Sequence, residues 1–173
     1  MVFDLQEDKK TWADFKNINV NIDQTEILYD INIKLNYGDN IVILGPNGSG
    51  KSTFLKLLNR SIYPIISSNS SLKLFNKEHI NIWHLRRKVG FLFKEMEERV
   101  INGVNSYDLI ASGFSGTYNS RHKELLTKEE QKKIEILVNQ WGLRNIVNKQ
   151  FQALSDGQKR RVLLARALVY EPN

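Results

Sequence analysis

The stretch from Gly45 to Thr53 combines small side chains with one lysine and two neighbouring hydroxyl groups. In order, its residues are Gly45, Pro46, Asn47, Gly48, Ser49, Gly50, Lys51, Ser52 and Thr53. The pattern G-x-x-x-x-G-K-[ST] is complete here, and its glycines let successive backbone N–H groups approach phosphate oxygens. Lys51 would bring a positive charge to the β- and γ-phosphates, and Ser52 would offer its oxygen to Mg²⁺. The stretch therefore predicts a nucleotide phosphate site with a magnesium ligand.

The residues on either side of this loop predict the elements that hold it. The apolar run from Ile41 to Leu44 predicts a short, fully buried strand of a parallel sheet. After the loop, Phe54, Leu55, Leu57 and Leu58 would form one face of a helix. The unpaired N–H groups and the positive end of that helix would point at the phosphate. GTP is disfavoured as the nucleotide, because no N-K-x-D motif for guanine is found.

The remaining periodicity predicts an α/β chain with a helical insert. Strands are predicted within residues 18–37, with a turn at Asp23-Gln24-Thr25, and then at Leu72–Phe75 and Val89–Phe93. A short amphipathic segment from Ile80 to Leu85 precedes the last of these strands. Helices are predicted at Ser106–Ala111, at Thr127–Trp141 with a capping box at Thr127 and a stop at Gly142, and from Ser155 onward.

Composition limits the other kinds of chemistry. The 173 residues include no cysteine, which excludes disulfides, zinc–thiolate sites and thiol nucleophiles. His79, His84 and His122 lack metal-ligand spacing, so we expect them on the surface. The net charge of +6 allows a nucleotide, a nucleic acid or a lipid headgroup as partner without choosing among them. The N-terminus shows no signal peptide, and the apolar runs are too short to span a membrane.

A second motif, Leu154-Ser155-Asp156-Gly157-Gln158, lies at the predicted start of the last helix. The hydroxyl of Ser155 and the open backbone N–H of Gly157 would both lie beside the positive end of that helix. Such an arrangement predicts a second phosphate-binding surface. The alternative is that Ser155 is simply an N-cap.

These five residues resemble the LSGGQ signature of the ABC-type ATPases. The resemblance extends over nearly the whole chain, through IL-x-DINIKLNYGDNIVILGPNGSGKST, VGFLF and LSDGQKRRVLLARALVYEP. It implies the α/β fold of a P-loop NTPase, with a RecA-like core, an N-terminal antiparallel β-subdomain and an α-helical subdomain. Within a single domain we expect the β-rich and P-loop core at 1–97, the helical subdomain at 98–153 and the signature helix at 154–173.

The resemblance also implies a function, with ATP and Mg²⁺ as cofactors. Two ATP-binding subunits would form a homo- or heterodimer, head to tail, with each ATP held between Lys51 of one subunit and the signature residues Ser155, Gly157 and Gln158 of the other. The dimer would dock on the cytoplasmic face of a membrane-spanning transporter subunit, through a groove within about residues 94–115. The protein would then be cytoplasmic and peripheral on the inner face of the membrane, and no nucleic-acid partner is expected.

Four features depart from the family pattern. Asp156 stands where the signature has a glycine, and Ile22 stands where an aromatic residue stacks on adenine. Lys94 stands at the metal-sensing glutamine, a role that Glu97 would take under a shifted alignment. The sequence stops at Asn173, before the strand that carries the family's hydrolytic Asp-Glu pair. We therefore expect a C-terminally incomplete domain with no catalytic residue of its own, and hydrolysis close to background.

Two alternatives to the transporter subunit stay open. One is an ABC-type ATPase that acts in translation or repair rather than transport. The other is a fragment that only binds nucleotide, or binds it weakly.

Overall fold

The computed structural model describes residues 10–116 and 125–172. The chain divides into two compact units, with the boundary between Ile82 and Trp83. No helix within the described ranges is long and apolar enough to cross a membrane. His79 and His84 are exposed, as expected, whereas His122 lies outside the described residues.

The first unit contains an antiparallel sheet with the strand order β2-β1-β3. Its strands are β1 (Thr11–Ile22), β2 (Thr25–Asn36) and β3 (Ser71–Leu74). Ala13, Phe15, Ile18 and Val20 on β1 are each at most 1% exposed. The alternation of buried and open positions packs one face of the sheet and leaves the other face to solvent. The predicted hairpin is confirmed, with its turn at Asp23-Gln24.

Side-chain amides hold β1 and β2 together where their register is irregular. Asn17 and Asp30 have positive φ angles of 47° and 46°, and the pairing shifts between Phe15 and Ile18. The Oδ1 atom of Asn32 accepts a hydrogen bond from the backbone N–H of Asn17 at 2.9 Å. Because Asn and Asp tolerate this backbone conformation better than other residues, they fit positions where a ladder is interrupted.

The helix after the loop is confirmed as α1 (Lys51–Leu58). Phe54, Leu57 and Leu58 are buried, and the Phe54 ring lies 5.1 Å from the ring of Phe15 on β1. Leu55, which was predicted on the same face, is 38% exposed. The apolar spacing therefore predicted three of the four residues of the packed face of α1.

The prediction of a buried strand at Ile41–Leu44 is wrong for this structure. These four residues have no strand assignment, and Val42 and Leu44 are 78% and 87% exposed. A strand needs a neighbour to accept and donate its backbone hydrogen bonds. The sheet of the described residues consists of β2, β1 and β3 alone, all antiparallel, so no strand lies alongside this segment.

The second unit is helical. Its helices are α2 (Ile82–Lys88), α3 (Ser106–Ala111), α4 (Lys128–Gln140) and α5 (Asp156–Leu168), and only the first residue of α2 belongs to the first unit. Short 3-10 helices lie at Lys94–Arg99, Ser112–Ser115 and Phe151–Ala153. Leu109 and Ile110 of α3 and Val162 of α5 are each 0% exposed and belong to one hydrophobic core. The helices predicted near 106, 127 and 155 are confirmed.

The strand predicted at Val89–Phe93 is also wrong, because this segment has no strand assignment. It instead runs close to the end of α5, where a Cβ at Gly90 would lie 2.6 Å from the carbonyl oxygen of Ala167. The apolar residues Phe91 and Phe93 pack against the helical core without pairing as a strand. Their spacing indicated burial correctly, but burial alone does not make a strand.

The ends of α4 follow the local sequence. Thr127 Oγ1 accepts a hydrogen bond from the N–H of Glu130 at 3.2 Å, and the N–H of Thr127 donates to Glu130 Oε2 at 2.9 Å. Gly142 then takes a left-handed φ of 61° just after the helix. The predicted capping box and glycine stop are both confirmed.

Backbone hydrogen bonds fasten the start of α3 to the segment that leads into α5. The N–H of Ser106 donates to the carbonyl of Lys149 at 2.9 Å, and the N–H of Phe151 donates to the carbonyl of Val104 at 2.9 Å. Deeper in the unit, Nε of the buried Arg166 donates to Oγ of Ser112 at 3.3 Å. These bonds connect α5 and the segment before it to α3 and the residues on either side of α3.

Candidate functional site: a phosphate loop and a second helix terminus

The first turn of α1 has the features of an anion site. Gly50 is its N-cap residue and makes no side-chain cap hydrogen bond. The first turn also contains no acidic residue. The helix therefore starts with N–H groups that no side chain caps, and with its positive end uncompensated by a carboxylate. Backbone amides arranged in this way bind phosphate.

Two residues of β2 support this helix start. Gly50 has a φ of 82°, and a Cβ at its position would lie 2.7 Å from Cδ2 of Leu28 and 3.0 Å from the carbonyl oxygen of Ile27. Glycine is needed here both for its conformation and for the close approach of β2. The sequence by itself gave no indication of this role of Ile27 and Leu28. Only tertiary packing brings together residues so distant in the chain.

Lys51 lies folded back over the loop. Its Nζ atom donates to the carbonyl oxygens of Gly45 at 2.8 Å and Pro46 at 2.6 Å, and lies 3.4 Å from Oγ of Ser49. The ammonium group is thus held above the loop by neutral oxygens. Phosphate oxygens carry full negative charge and make stronger, charge-assisted hydrogen bonds with an ammonium group.

The outer part of the loop is a turn open to solvent. The N–H of Ser49 donates to the carbonyl of Pro46 at 3.3 Å, and Gly48 between them has a φ of 84°. Residues 41–49 are all exposed. Nothing lies within 4 Å of the place a Cβ would take at Gly48, so the turn leaves room for a ligand beside its backbone.

Ser52 and Thr53 complete the motif on the first turn of α1. Ser52 is exposed and Thr53 is half-buried. A serine hydroxyl is a hard oxygen donor of the kind Mg²⁺ accepts, and the ion keeps several water ligands beside it. The residues present therefore fit a magnesium ion that is shared with a nucleotide.

A cleft of about 620 Å³ borders the loop within the first unit. Its walls include Leu28 and Asn32 of β2 together with Ser49, Gly50 and Lys51. This volume falls within the range of small-molecule sites. The residues predicted to hold phosphate thus adjoin a space of ligand size.

The signature residues occupy the first turn of α5, in the second unit. Ser155 is the N-cap residue, and its backbone N–H donates to Oε1 of Gln158 at 3.1 Å. Ser155 and Gln158 together form a capping box. Thr127 and Glu130 form the equivalent box at the start of α4. Ser155 is therefore an N-cap whose side chain stays exposed at the start of α5.

The neighbours of Ser155 leave the helix end open. Ser155, Asp156 and Gly157 are all exposed, and nothing lies within 4 Å of the place a Cβ would take at Gly157. Asp156 is the acidic residue of this first turn. Its carboxylate compensates part of the positive helix end, a feature that the first turn of α1 lacks.

Three further positions that bear on the family pattern, Lys94, Glu97 and Ile22, are exposed or half-buried. Lys94 begins the 3-10 helix Lys94–Arg99 and is exposed, whereas Glu97 is half-buried. Ile22 ends β1 and is 42% exposed. Which residue replaces the metal-sensing glutamine, and what stacks on adenine, both stay predictions. Among the described residues no cluster of histidine and acidic side chains could hold a metal by itself.

Comparison with known proteins identifies the class. The family described as ABC transporter matches residues 28–173. The chain is 32% identical over 165 residues to the uncharacterized ABC transporter ATP-binding protein YmeB of Lactococcus lactis, covering 94% of this chain and 61% of that protein. It is 30% identical over 171 residues to the energy-coupling factor transporter ATP-binding protein EcfA1 of Mycoplasma pneumoniae, covering 97% of this chain and 58% of the relative.

A solved protein structure indicates the same family as these relatives. The structure of cbiO1 from Clostridium perfringens, described as part of the ABC transporter complex cbiONQ, matches with a TM-score of 0.73 and 27% identity, over 95% of this chain and 63% of that one. This chain therefore belongs to the ABC transporter family of ATP-binding proteins and has the fold of its P-loop cassettes. It spans about three fifths of the length of the relatives that it matches.

Proposed function

We propose that this protein binds Mg-ATP at residues Gly45–Thr53 and serves as the ATP-binding subunit of an ABC transporter. The observation that carries the proposal is the start of α1, which has no side-chain cap and no acidic residue and is followed at once by Lys51. Backbone amides would bind the phosphate oxygens, and the helix end would add its positive potential.

Each residue of the loop would have a distinct task. Lys51 would leave the carbonyl oxygens of Gly45 and Pro46 and move its ammonium group to the β- and γ-phosphates. Ser52 would hold the magnesium ion, which neutralises charge on the phosphates when bound. Gly50 would keep α1 close to β2, so that the amides stay aligned.

The open terminus of α5 supports a second step in the proposal. The exposed hydroxyl of Ser155 and the N–H of Gly157 would contact the γ-phosphate of an ATP held by a second ATP-binding subunit. Gln158 would keep Ser155 in position through the 3.1 Å hydrogen bond. ATP would then join two subunits head to tail, and loss of the γ-phosphate would release them.

Transport requires a membrane-spanning partner, and the names of two relatives support one. EcfA1 is named as part of an energy-coupling factor transporter and cbiO1 as part of a transporter complex. We place this protein, by analogy, at the cytoplasmic face of the membrane beside such a subunit. Recovery of a membrane protein with the tagged chain after detergent extraction tests this part, and a chain that never enters the membrane fraction contradicts it.

Calorimetry with Mg-ATP tests the binding site directly. Lys51→Met should lower the affinity roughly tenfold or more, because a charge-assisted contact to phosphate is lost. Lys16→Met, which changes an exposed lysine on β1, should leave the affinity unchanged. Equal binding by the two variants, or no binding by the folded parent protein, would contradict the proposal.

Sedimentation with and without Mg-ATP tests the second step. Ser155→Ala should bind ATP as the parent does but associate less when ATP is present. If the parent protein stays monomeric at ATP saturation, or if Ser155→Ala associates normally, the role of the signature is wrong. The loop site would still stand in either case.

A further inference from the structure

The chain contains two Asn–Gly pairs, Asn47–Gly48 and Asn102–Gly103. In such a pair the backbone nitrogen of the glycine reaches the side-chain carbonyl carbon of the asparagine easily, because no Cβ obstructs it. We propose that Asn47 is a site of spontaneous deamidation, and that its conversion inactivates the phosphate loop unless a nucleotide protects it. The inactivation and the protection rest on the proposed function, whereas the conversion itself does not.

The structure leaves the reacting atoms of this pair accessible. Asn47 and Gly48 are both exposed, and Gly48 has a φ of 84° with nothing within 4 Å of its Cβ position. The turn is closed by the hydrogen bond from Ser49 to Pro46, at 3.3 Å. That bond engages neither the side chain of Asn47 nor the N–H of Gly48.

The chemical step is balanced without an oxidant or a reductant. The backbone nitrogen of Gly48 gives its proton to hydroxide and attacks Cγ of Asn47. A five-membered succinimide forms, and the side-chain nitrogen takes a proton from water and leaves as ammonia, which regenerates the hydroxide. Water then adds to one of the two ring carbonyls and opens the ring. One water is consumed, one ammonia is released, and an aspartyl or isoaspartyl residue is left at position 47.

The product is incompatible with the role of the loop. A carboxylate would stand among the amides that are to bind phosphate, and like charges repel strongly at such short range. It would also offer Lys51 a charged partner beside Pro46, which the ammonium group already contacts. The isoaspartyl form further adds a methylene to the backbone and changes the spacing of the N–H groups.

Asn102–Gly103 is a matched reference within the same chain. Both residues are exposed, Gly103 has a φ of 86°, and nothing lies within 4 Å of its Cβ position. Because it belongs to the second unit and to no phosphate motif, a nucleotide in the loop should not affect it. Conditions that change the rate at position 47 alone therefore report on the loop.

Peptide mass mapping of the purified full chain during incubation at mildly alkaline pH tests the proposal. Without nucleotide, positions 47 and 102 should convert at comparable rates. With saturating Mg-ATP, conversion at position 47 should slow several-fold while that at 102 continues. The loss of calorimetric ATP binding should follow the converted fraction at 47 and not the fraction at 102.

Variants of Asn47 and Asn102 separate the effect of conversion at one position from that at the other. Asn47→Gln should keep its amide and lose binding more slowly on incubation than Asn102→Gln, while Asn47→Asp should bind ATP roughly tenfold or more weakly from the start. An unconverted Asn47 beside a converted Asn102 overturns the proposal, and so does unimpaired binding after conversion. If the fresh protein never binds ATP, the inactivation fails together with the proposed function, but the conversion at 47 is still measured.

Discussion

The ammonium nitrogen of Lys51 lies 2.6 Å from the carbonyl oxygen of Pro46, within the same loop. The ammonium group of the phosphate motif is thus hydrogen-bonded to carbonyl oxygens of its own loop, which carry only partial negative charge. A phosphate group would displace these carbonyls from the ammonium group, since charged acceptors bind an ammonium group more strongly than carbonyls do.

The first prediction concerns the stability of the protein without ligand. Lys51→Met should change the free energy of unfolding by about 1 kcal/mol or less, because the hydrogen bonds of Nζ are exposed to solvent. Urea titration monitored by circular dichroism measures this. A loss of several kcal/mol would mean that Lys51 is structural, and that lost ATP binding in this variant reports only on the fold.

The second prediction compares two glycines of the loop with nearly equal φ angles. Gly50→Ala should destabilise the protein by about 2 to 4 kcal/mol, because its Cβ would meet Leu28 and the carbonyl of Ile27 in addition to the backbone strain. Gly48→Ala has the strain alone and should cost about 1 kcal/mol. Urea midpoints of the two variants decide, and equal costs would show that the contact with β2 is unimportant.

The third prediction compares the two capping boxes of the second unit. Thr127→Ala should cost about 1 kcal/mol, because Thr127 Oγ1 accepts a hydrogen bond from the first turn of α4. Ser155→Ala should cost no more than this, because Ser155 is the N-cap of the same kind of box at the start of α5. Thermal or urea unfolding of both variants measures the difference. A larger loss for Ser155→Ala would return this residue to a purely structural role.

The fourth prediction is a pH dependence that arises from Tyr107 of α3. Burial raises the pKa of the Tyr107 hydroxyl, with smaller contributions from the charges of Glu135 and Asp108. The folded protein therefore holds this proton more tightly than the unfolded chain does. The associated stability is complete below the ordinary tyrosine pKa of about 10 and is lost as the pH rises above it.

Urea titrations on either side of pH ~10 test this dependence. Tyr107→Phe should lose stability less steeply with rising pH than the parent protein. Tyr29→Phe is the matched control, because Tyr29 is 71% exposed on β2. Identical slopes for the parent protein and Tyr107→Phe would show that this hydroxyl does not titrate differently on folding.

Local features were predictable where the sequence itself contains the cause. The caps of α4 and α5, the glycine after α4 and the hairpin of β1 and β2 depend on contacts between residues close in the chain. The same holds for the start of α1, which directly follows the glycine pattern. These elements agree with their predictions because short-range geometry determines them. The binding of phosphate by the loop stays a prediction.

The strands expected at 41–44 and 89–93 show the limit of that reasoning. Both segments are apolar, but a strand exists only if another strand satisfies its peptide groups, and no residue of the segment itself can do so. The sequence likewise did not indicate which residues support the candidate site. The contact of Leu28 with Gly50 and that of Arg166 with Ser112 join residues far apart in the chain.

The amino-acid sequence alone predicted the chemistry of this protein, because glycines, one lysine and two hydroxyls at this spacing are typical of a phosphate loop. It also determined the family, through the order of that loop and the signature. The tertiary structure decided which side chains of the two motifs are exposed and which are already hydrogen-bonded. It left Ser155 exposed at the start of α5 and held Lys51 on the loop carbonyls. Hydrogen-bond partners depend on where the folded backbone places each atom, and spacing along the chain does not contain that information.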